Sequence, residues 1–108
     1  MGGIGTQSPG FFTRGNPKVG CENLVIRTQL FSPAPAVLTK LVRGDKMPVV
    51  LLGKGGPCVA MYGTQIAGTV IHRDLFQLIE CLTKGVAFEA TIRHVFGGAC
   101  LVIIKAIP

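Results

Sequence analysis

The sequence predicts a mostly β or α+β domain: a small curled sheet or OB/SH3-like barrel of five to seven strands, with one helix at about residues 74–84. Three observations predict it. Short apolar runs recur between turn residues along most of the chain. An apolar stripe with helical spacing occurs just after Asp74. The length of 108 residues is that of one domain.

The first twenty residues differ from the rest in being rich in glycine and proline. They show little periodic pattern, so they offer too little apolar surface to offset the entropy lost on ordering. We expect residues 1–20 to be a flexible tail and residues 21–108 to form one β-rich domain. The adjacent Phe11 and Phe12 either dock on the domain or on a partner, or are plain tail residues.

The first part of the domain reads as extended segments separated by breaks. Residues 24–31 alternate as a strand and end at a proline-rich break, because proline cannot donate to a β-ladder. Residues 37–42 are predicted to be a second, short extended piece, followed by a turn at residues 43–46. Residues 47–52 form a strand in which Pro48 indicates an edge position or a strand start.

A hairpin is predicted next, with strands at residues 58–62 and 65–71. The turn is Gly63-Thr64, whose leading glycine suits a type II′ turn. Gly68, inside the second strand, marks a bulge or a place where another backbone comes close. The glycine-rich loop at residues 53–57 lacks the spacing of a phosphate-binding loop, so a nucleotide triphosphate site is not expected.

The predicted helix has recognisable ends. Asp74 can cap its first backbone donors, Lys84 complements the negative end of the helix, and Gly85 suits a left-handed cap. The stripe consists of residues 75, 78, 79 and 82. Because the helix is only about ten residues long, packing on the sheet must hold it.

Two further strands complete the domain. Residues 88–95 alternate apolar and polar side chains and lead through Gly97-Gly98 to a closing strand at residues 101–107. The closing strand is apolar on both faces. It is therefore expected in the middle of the sheet, under the helix or in a subunit contact.

Cysteine and histidine usage argues against a metal site and against catalysis. The four cysteines, Cys21, Cys58, Cys81 and Cys100, form no C-x-x-C pair, and the two histidines lie far from each other in the sequence. No two of these residues therefore have the close spacing of zinc ligands. With no secretory signal or membrane span in the sequence, we expect reduced cysteines and a cytoplasmic protein. No nucleophile–base motif is found, so no enzyme activity, metal or cofactor is predicted.

The charge balance favours an anionic partner. The net charge is +6 and the sequence pI is about 9.6, a balance typical of nucleic-acid-binding proteins. A barrel that binds nucleic acid needs basic side chains for phosphates and aromatic rings for bases. The candidate binding residues are Arg43, Lys46, Lys54, Tyr62, Arg73 and Arg93.

Part of the chain resembles the HIRAN family. Residues 41–52 stand for its extended lead-in segment, Cys58-Val59-Ala60-Met61 for its A-V-x-V strand, and Ile66-Ala67-Gly68-Thr69-Val70 for its I-G-x-V strand. The resemblance covers about residues 41–95 and implies an OB-like barrel that binds DNA, in the characterised case at the 3′ end of a single strand. The loop at residues 53–57 lacks the family's aspartate. The feature that the resemblance still implies for this chain is a basic, partly aromatic face near Arg43, Lys46, Tyr62 and Arg73.

The sequence thus favours a non-enzymatic nucleic-acid-binding module, with single-stranded DNA as one such ligand. The alternative is a homo-oligomeric interaction or assembly module of a small accessory protein. The alternative is motivated by the closing strand and by charged residues that make up only 15% of the chain, against about 25% in soluble domains.

Overall fold

The computed structural model describes residues 20–108, and the expected tail with Phe11 and Phe12 lies outside them, apart from Gly20. The described part is mostly strand with one main helix, as the sequence predicts. In chain order the elements are a short 3-10 helix (Cys21–Asn23), β1 (Val25–Gln29), α1 (Pro35–Leu38), β2 (Lys46–Leu51), β3 (Cys58–Tyr62), β4 (Gln65–Thr69), α2 (Leu75–Thr83), β5 (Phe88–Phe96) and β6 (Ala99–Ala106).

The six strands form one antiparallel sheet in the order β1-β6-β5-β2-β3-β4. The sheet curls until its two ends meet at a bridge between Phe31 and Thr69. Each of these residues donates its backbone N–H to the carbonyl of the other, at 2.8 and 2.9 Å. The predicted curled sheet is confirmed, and the closing strand β6 lies inside it, between β1 and β5.

Gly68 lies where the two ends of the sheet come closest. A Cβ atom at this position would be 2.9 Å from the Leu30 Cβ and 3.2 Å from its Cδ1. The register between β3 and β4 also shifts beside it, between Ala60 and Met61. Both structural features predicted at Gly68 are therefore found: another segment of backbone comes close to it, and the strand pairing beside it is irregular.

The inner face of the curl holds the core. Every strand contributes to it, and α2 adds Leu78 and Cys81. Among residues 20–108 no polar or charged residue is fully buried. The largest buried side chains are Phe88, Ile26, Leu30, Met47, Leu78, Ile92 and Ile104, and burying a side chain of this kind stabilises the fold by roughly 1.5–3 kcal/mol.

Residues 35–38 form the helix α1, so the extended piece predicted at residues 37–42 is wrong. Pro35 occupies the first turn, where proline is tolerated because its missing N–H would have no helical partner. Val37, Leu38 and Leu41 are buried in the core. Their spacing is that of one helical face, and packing of this face fixes the local conformation.

Pro48 lies in an interior strand, so of the two positions predicted for it, an edge or a strand start, the edge is excluded. Strand β2 runs between β5 and β3, and Pro48 is opposite Glu89 of β5. The register with β3 begins only at Val49. Pro48 therefore falls near the strand start, as the alternative prediction had it.

One end of α2 has the cap predicted from the sequence and the other does not. Gly85 adopts the left-handed conformation expected of a residue that ends a helix, with φ of 94°. Asp74 takes the N-cap position, yet its side chain makes no cap hydrogen bond. Instead the Asp74 backbone N–H donates to the Nδ1 atom of His72 at 3.1 Å, and its carboxylate lies 3.8 Å from the same nitrogen.

A disulfide joins Cys21 to Cys81, with Cα atoms 5.7 Å apart. The expectation of four reduced cysteines is therefore wrong for this pair, because the fold brings the start of the domain against α2. Cys58 and Cys100 are free and buried, as expected of small apolar residues. None of the helices formed by residues 20–108 has the length and apolar character needed to cross a membrane.

Candidate nucleic-acid interface

The outer face of β1, β6, β5 and β2 carries rows of side chains that the strand register places side by side. One row runs through Arg27, Ile103, Thr91 and Lys46. Neighbouring strands are about 4.8 Å apart, so the two ends of this row are separated by roughly 15 Å. In the next row Lys105 is flanked by Val25 and Glu89.

Arg43 and Arg93 extend this face at one side. The turn before β2 is attached to β5, since Gly44 donates its N–H to the Ile92 carbonyl and Ile92 donates to the Asp45 carbonyl, both at 2.8 Å. Arg93 follows Ile92 directly and occupies a bulge that the register with β6 skips. We call Arg27, Arg43, Lys46, Arg93 and Lys105, all exposed, the basic strip.

The acidic residues near the basic strip are Asp45 and Glu89. The Glu89 Oε1 atom lies 3.8 Å from the Lys46 Nζ atom, and Glu89 is also the register partner of Lys105. A surface ion pair of this length contributes about 0–1 kcal/mol, so it leaves Lys46 available to a ligand. The Asp45 carboxylate accepts a hydrogen bond from the Val42 N–H at 3.0 Å and so holds the turn.

An aromatic pair borders the basic strip at the tip of the β5–β6 hairpin. The rings of His94 and Phe96 have centroids 4.8 Å apart, and Phe96 is 51% exposed. The tip itself is Gly97-Gly98, where an added Cβ would meet no heavy atom within 4 Å. The hairpin tip thus leaves the Phe96 ring open to a flat partner such as a nucleobase.

Of the six candidate residues predicted from the sequence, the structure brings together Arg43, Lys46 and Arg93. No strand pairing places the other three on the strip: Lys54 lies in the exposed loop between β2 and β3, Arg73 lies in the segment before α2, and Tyr62 is half-buried against the core.

Sequence reasoning did not select Arg27, Lys105, His94 or Phe96. The two-residue spacing of His94 and Phe96 next to a double glycine is a signal that could have found the aromatic pair. Nothing local marks Arg27 or Lys105, because the β1–β6–β5 register alone places them on this face.

Other chemistry is poorly supported by the described residues. Burial raises the pKa of the Cys58 thiol to about 11 and raises the pKa of Cys100 as well, which keeps both thiols protonated and weakly nucleophilic. Residues 20–108 contain no cluster of three His, Cys, Asp or Glu side chains able to hold a metal ion. A cleft of about 410 Å³ between β2 and the end of α2 is lined by residues without ionisable side chains, including Pro48, Val50, Leu82, Val86 and Ile107.

Neither a protein-family model nor a curated protein nor a solved structure matches this chain.

Proposed function

We propose that this protein is a non-enzymatic nucleic-acid-binding module that holds a single strand on the basic strip and the His94–Phe96 pair. One observation carries the proposal: the strand register puts three basic side chains on one sheet face, and the adjoining turn and bulge bring two more beside them. They are Arg27, Arg43, Lys46, Arg93 and Lys105. Phosphate groups are the ligand that such an arrangement suits best, because each basic side chain replaces a counterion released from the nucleic acid.

The balance of charge across the strip supports this ligand class. Glu89 is half-buried and Asp45 is engaged with the backbone, so the exposed charges of the strip are positive. The whole chain adds a net charge of +6, which attracts a polyanion from a distance. The resemblance to HIRAN domains implies the same ligand class.

The aromatic pair favours a single strand over a duplex. Stacking of one base on an aromatic side chain is worth about 1–3 kcal/mol, and it requires a base that is free to leave its neighbours. Phe96 offers an open ring at the edge of the strip, whereas a duplex keeps its bases stacked on one another. A duplex would therefore gain phosphate contacts only.

The test is a fluorescence-anisotropy titration of the full chain with labelled single-stranded and double-stranded oligonucleotides. We expect binding at about 50 mM salt that weakens steeply as salt rises. Lys46→Ala and Arg93→Ala should each lower the affinity and reduce the salt slope by about one. Phe96→Ala should weaken binding of the single strand and leave duplex binding nearly unchanged.

Two matched variants serve as controls. Lys54→Ala removes an exposed basic residue in the loop after β2, at the opposite end of this strand from Lys46, and should have little effect. Glu89→Gln frees Lys46 from its ion pair and should tighten binding. The proposal is wrong if no oligonucleotide binds at about 50 mM salt, or if Lys54→Ala costs as much affinity as the two strip variants.

A further inference from the structure

The fold places two uncharged stretches of the sequence side by side. Residues 28–39 and residues 55–71 contain no Asp, Glu, Lys or Arg. The bridge between Phe31 and Thr69 joins them, and Ala34 donates its N–H to the Ala67 carbonyl at 2.9 Å. The closure of the sheet therefore creates an outer surface without charge on a chain whose net charge is +6.

This surface is apolar as well as uncharged. Phe31, Ile66 and Ile71 are exposed on it, with 59%, 41% and 53% of their surface accessible. Met61, the register partner of Ile66, is half-buried beside them. We call Phe31, Met61, Ile66 and Ile71 the seam patch.

We propose that a second copy of this chain docks on the seam patch and forms a two-fold symmetric dimer. Two copies with a net charge of +6 repel each other wherever their charged faces meet, and like charges brought together in an interface cost several kcal/mol. At the seam patch this repulsion is smallest, and each copy presents the same apolar surface to the other. A two-fold axis produces such a contact between identical surfaces, since it pairs a surface with itself.

Backbone hydrogen bonds at the seam patch limit how the two copies can meet. The outer edge of β4 is already used: Thr69 exchanges two hydrogen bonds with Phe31, and the Ala67 carbonyl accepts from Ala34. A second copy therefore cannot extend the sheet there by strand pairing. Docking occurs through side chains, which gives a closed dimer instead of a fibre.

The dimer does not depend on nucleic-acid binding. The seam patch lies where the end of β1 meets β4, whereas the basic strip begins at Arg27 of β1 and runs across β6 and β5 to the start of β2.

The experiment is analytical ultracentrifugation of the full chain across a concentration series. We expect the wild type to dimerise and Ile66→Lys to weaken dimerisation by about a hundredfold or more, because each copy then carries a charge into an apolar interface. Ile107→Lys is the matched control, since Ile107 is 44% exposed and lies outside the patch. Higher salt should strengthen the dimer, because it screens the repulsion between the two basic copies.

Circular dichroism checks that each variant is folded, and Ile71→Lys replaces Ile66→Lys if the latter fails to fold. A wild-type chain that stays monomeric up to about 1 mM overturns the proposal. So does a dimer that survives both patch substitutions, or one that Ile107→Lys disrupts equally.

Discussion

Gly68 lies beneath the side chain of Leu30, where the end of β1 comes closest to β4. An added methyl group would stand 2.9 Å from the Leu30 Cβ and 3.4 Å from the Phe31 carbonyl oxygen, so either Leu30 or the bridge beside it must shift. Overpacking of this kind costs about 1–3 kcal/mol. Gly68→Ala should lower the free energy of unfolding by that amount, as measured by urea titration.

Gly53→Ala provides the comparison for Gly68→Ala. The nearest atom to a Cβ at Gly53 is the Gly56 carbonyl oxygen at 3.6 Å, which is an ordinary contact. We expect this variant to unfold at nearly the wild-type urea concentration. Equal losses in both variants would show that the close approach at Leu30 does not limit the fold.

Because of the buried Cys58 thiol, we expect the free energy of unfolding to depend on pH in the alkaline range. Burial raises the pKa of its thiol from 9.0 to about 11 in the folded state, so above pH 9 the unfolded chain loses a proton that the folded chain keeps. The stabilisation is fully present below pH 9 and is lost as the pH rises to 11. At 1.36 kcal/mol per pKa unit, the loss is at most about 2–3 kcal/mol.

Urea titrations between pH 8 and pH 11 measure this dependence on the Cys58 thiol. Cys58→Ala has a lower starting stability, because it leaves a small cavity, but its stability should fall less steeply with pH than that of the wild type. Identical slopes in the two proteins would mean that another group causes the alkaline loss.

The helix α1 shows where local sequence pattern misleads. Its buried residues Val37 and Leu38, together with Leu41 just after it, are spaced as one helical face, but they directly follow a proline-rich break that argues for extended chain. In a helix this short, tertiary packing determines the conformation, and packing is invisible in the local pattern. The hairpin of β3 and β4 was predictable because its turn is specified by Gly63-Thr64 alone.

The β2–β5 pairing explains why only half of the candidate interface could be anticipated. Arg43, Lys46 and Arg93 could be selected as basic residues near strands, but their proximity depends on Lys46 lying opposite Thr91. A shift of one residue in this register would turn Lys46 toward the core. The register between strands distant in sequence is set by how their core-facing side chains pack. No local sequence motif specifies this packing.

Charge is distributed unevenly over the whole molecule, and this separation links the two proposed surfaces. The basic strip occupies the outer face of four strands, whereas the seam joins two stretches without charge. Salt should therefore act on the two surfaces in opposite directions. It weakens phosphate contacts at the strip and relieves repulsion between copies at the seam.

The disulfide between Cys21 and Cys81 constrains the chain as a whole, because it closes a loop over a sequence separation of 60 residues. A cross-link of this span is expected to stabilise a fold by about 3–4 kcal/mol, chiefly by restricting the unfolded chain. In the reducing cytosol, the compartment predicted from the sequence, the bond would open and the fold would lose this stabilisation.

Urea titration with and without a thiol reductant measures the contribution of the Cys21–Cys81 bond. The reductant should lower the free energy of unfolding of the wild type by about 3–4 kcal/mol. It should have no effect on Cys21→Ser, which cannot form the bond, while Cys58→Ala, which keeps the bond, should remain sensitive. If the reductant left the wild type unchanged, or destabilised Cys21→Ser equally, the Cys21–Cys81 bond would not be a source of this stability.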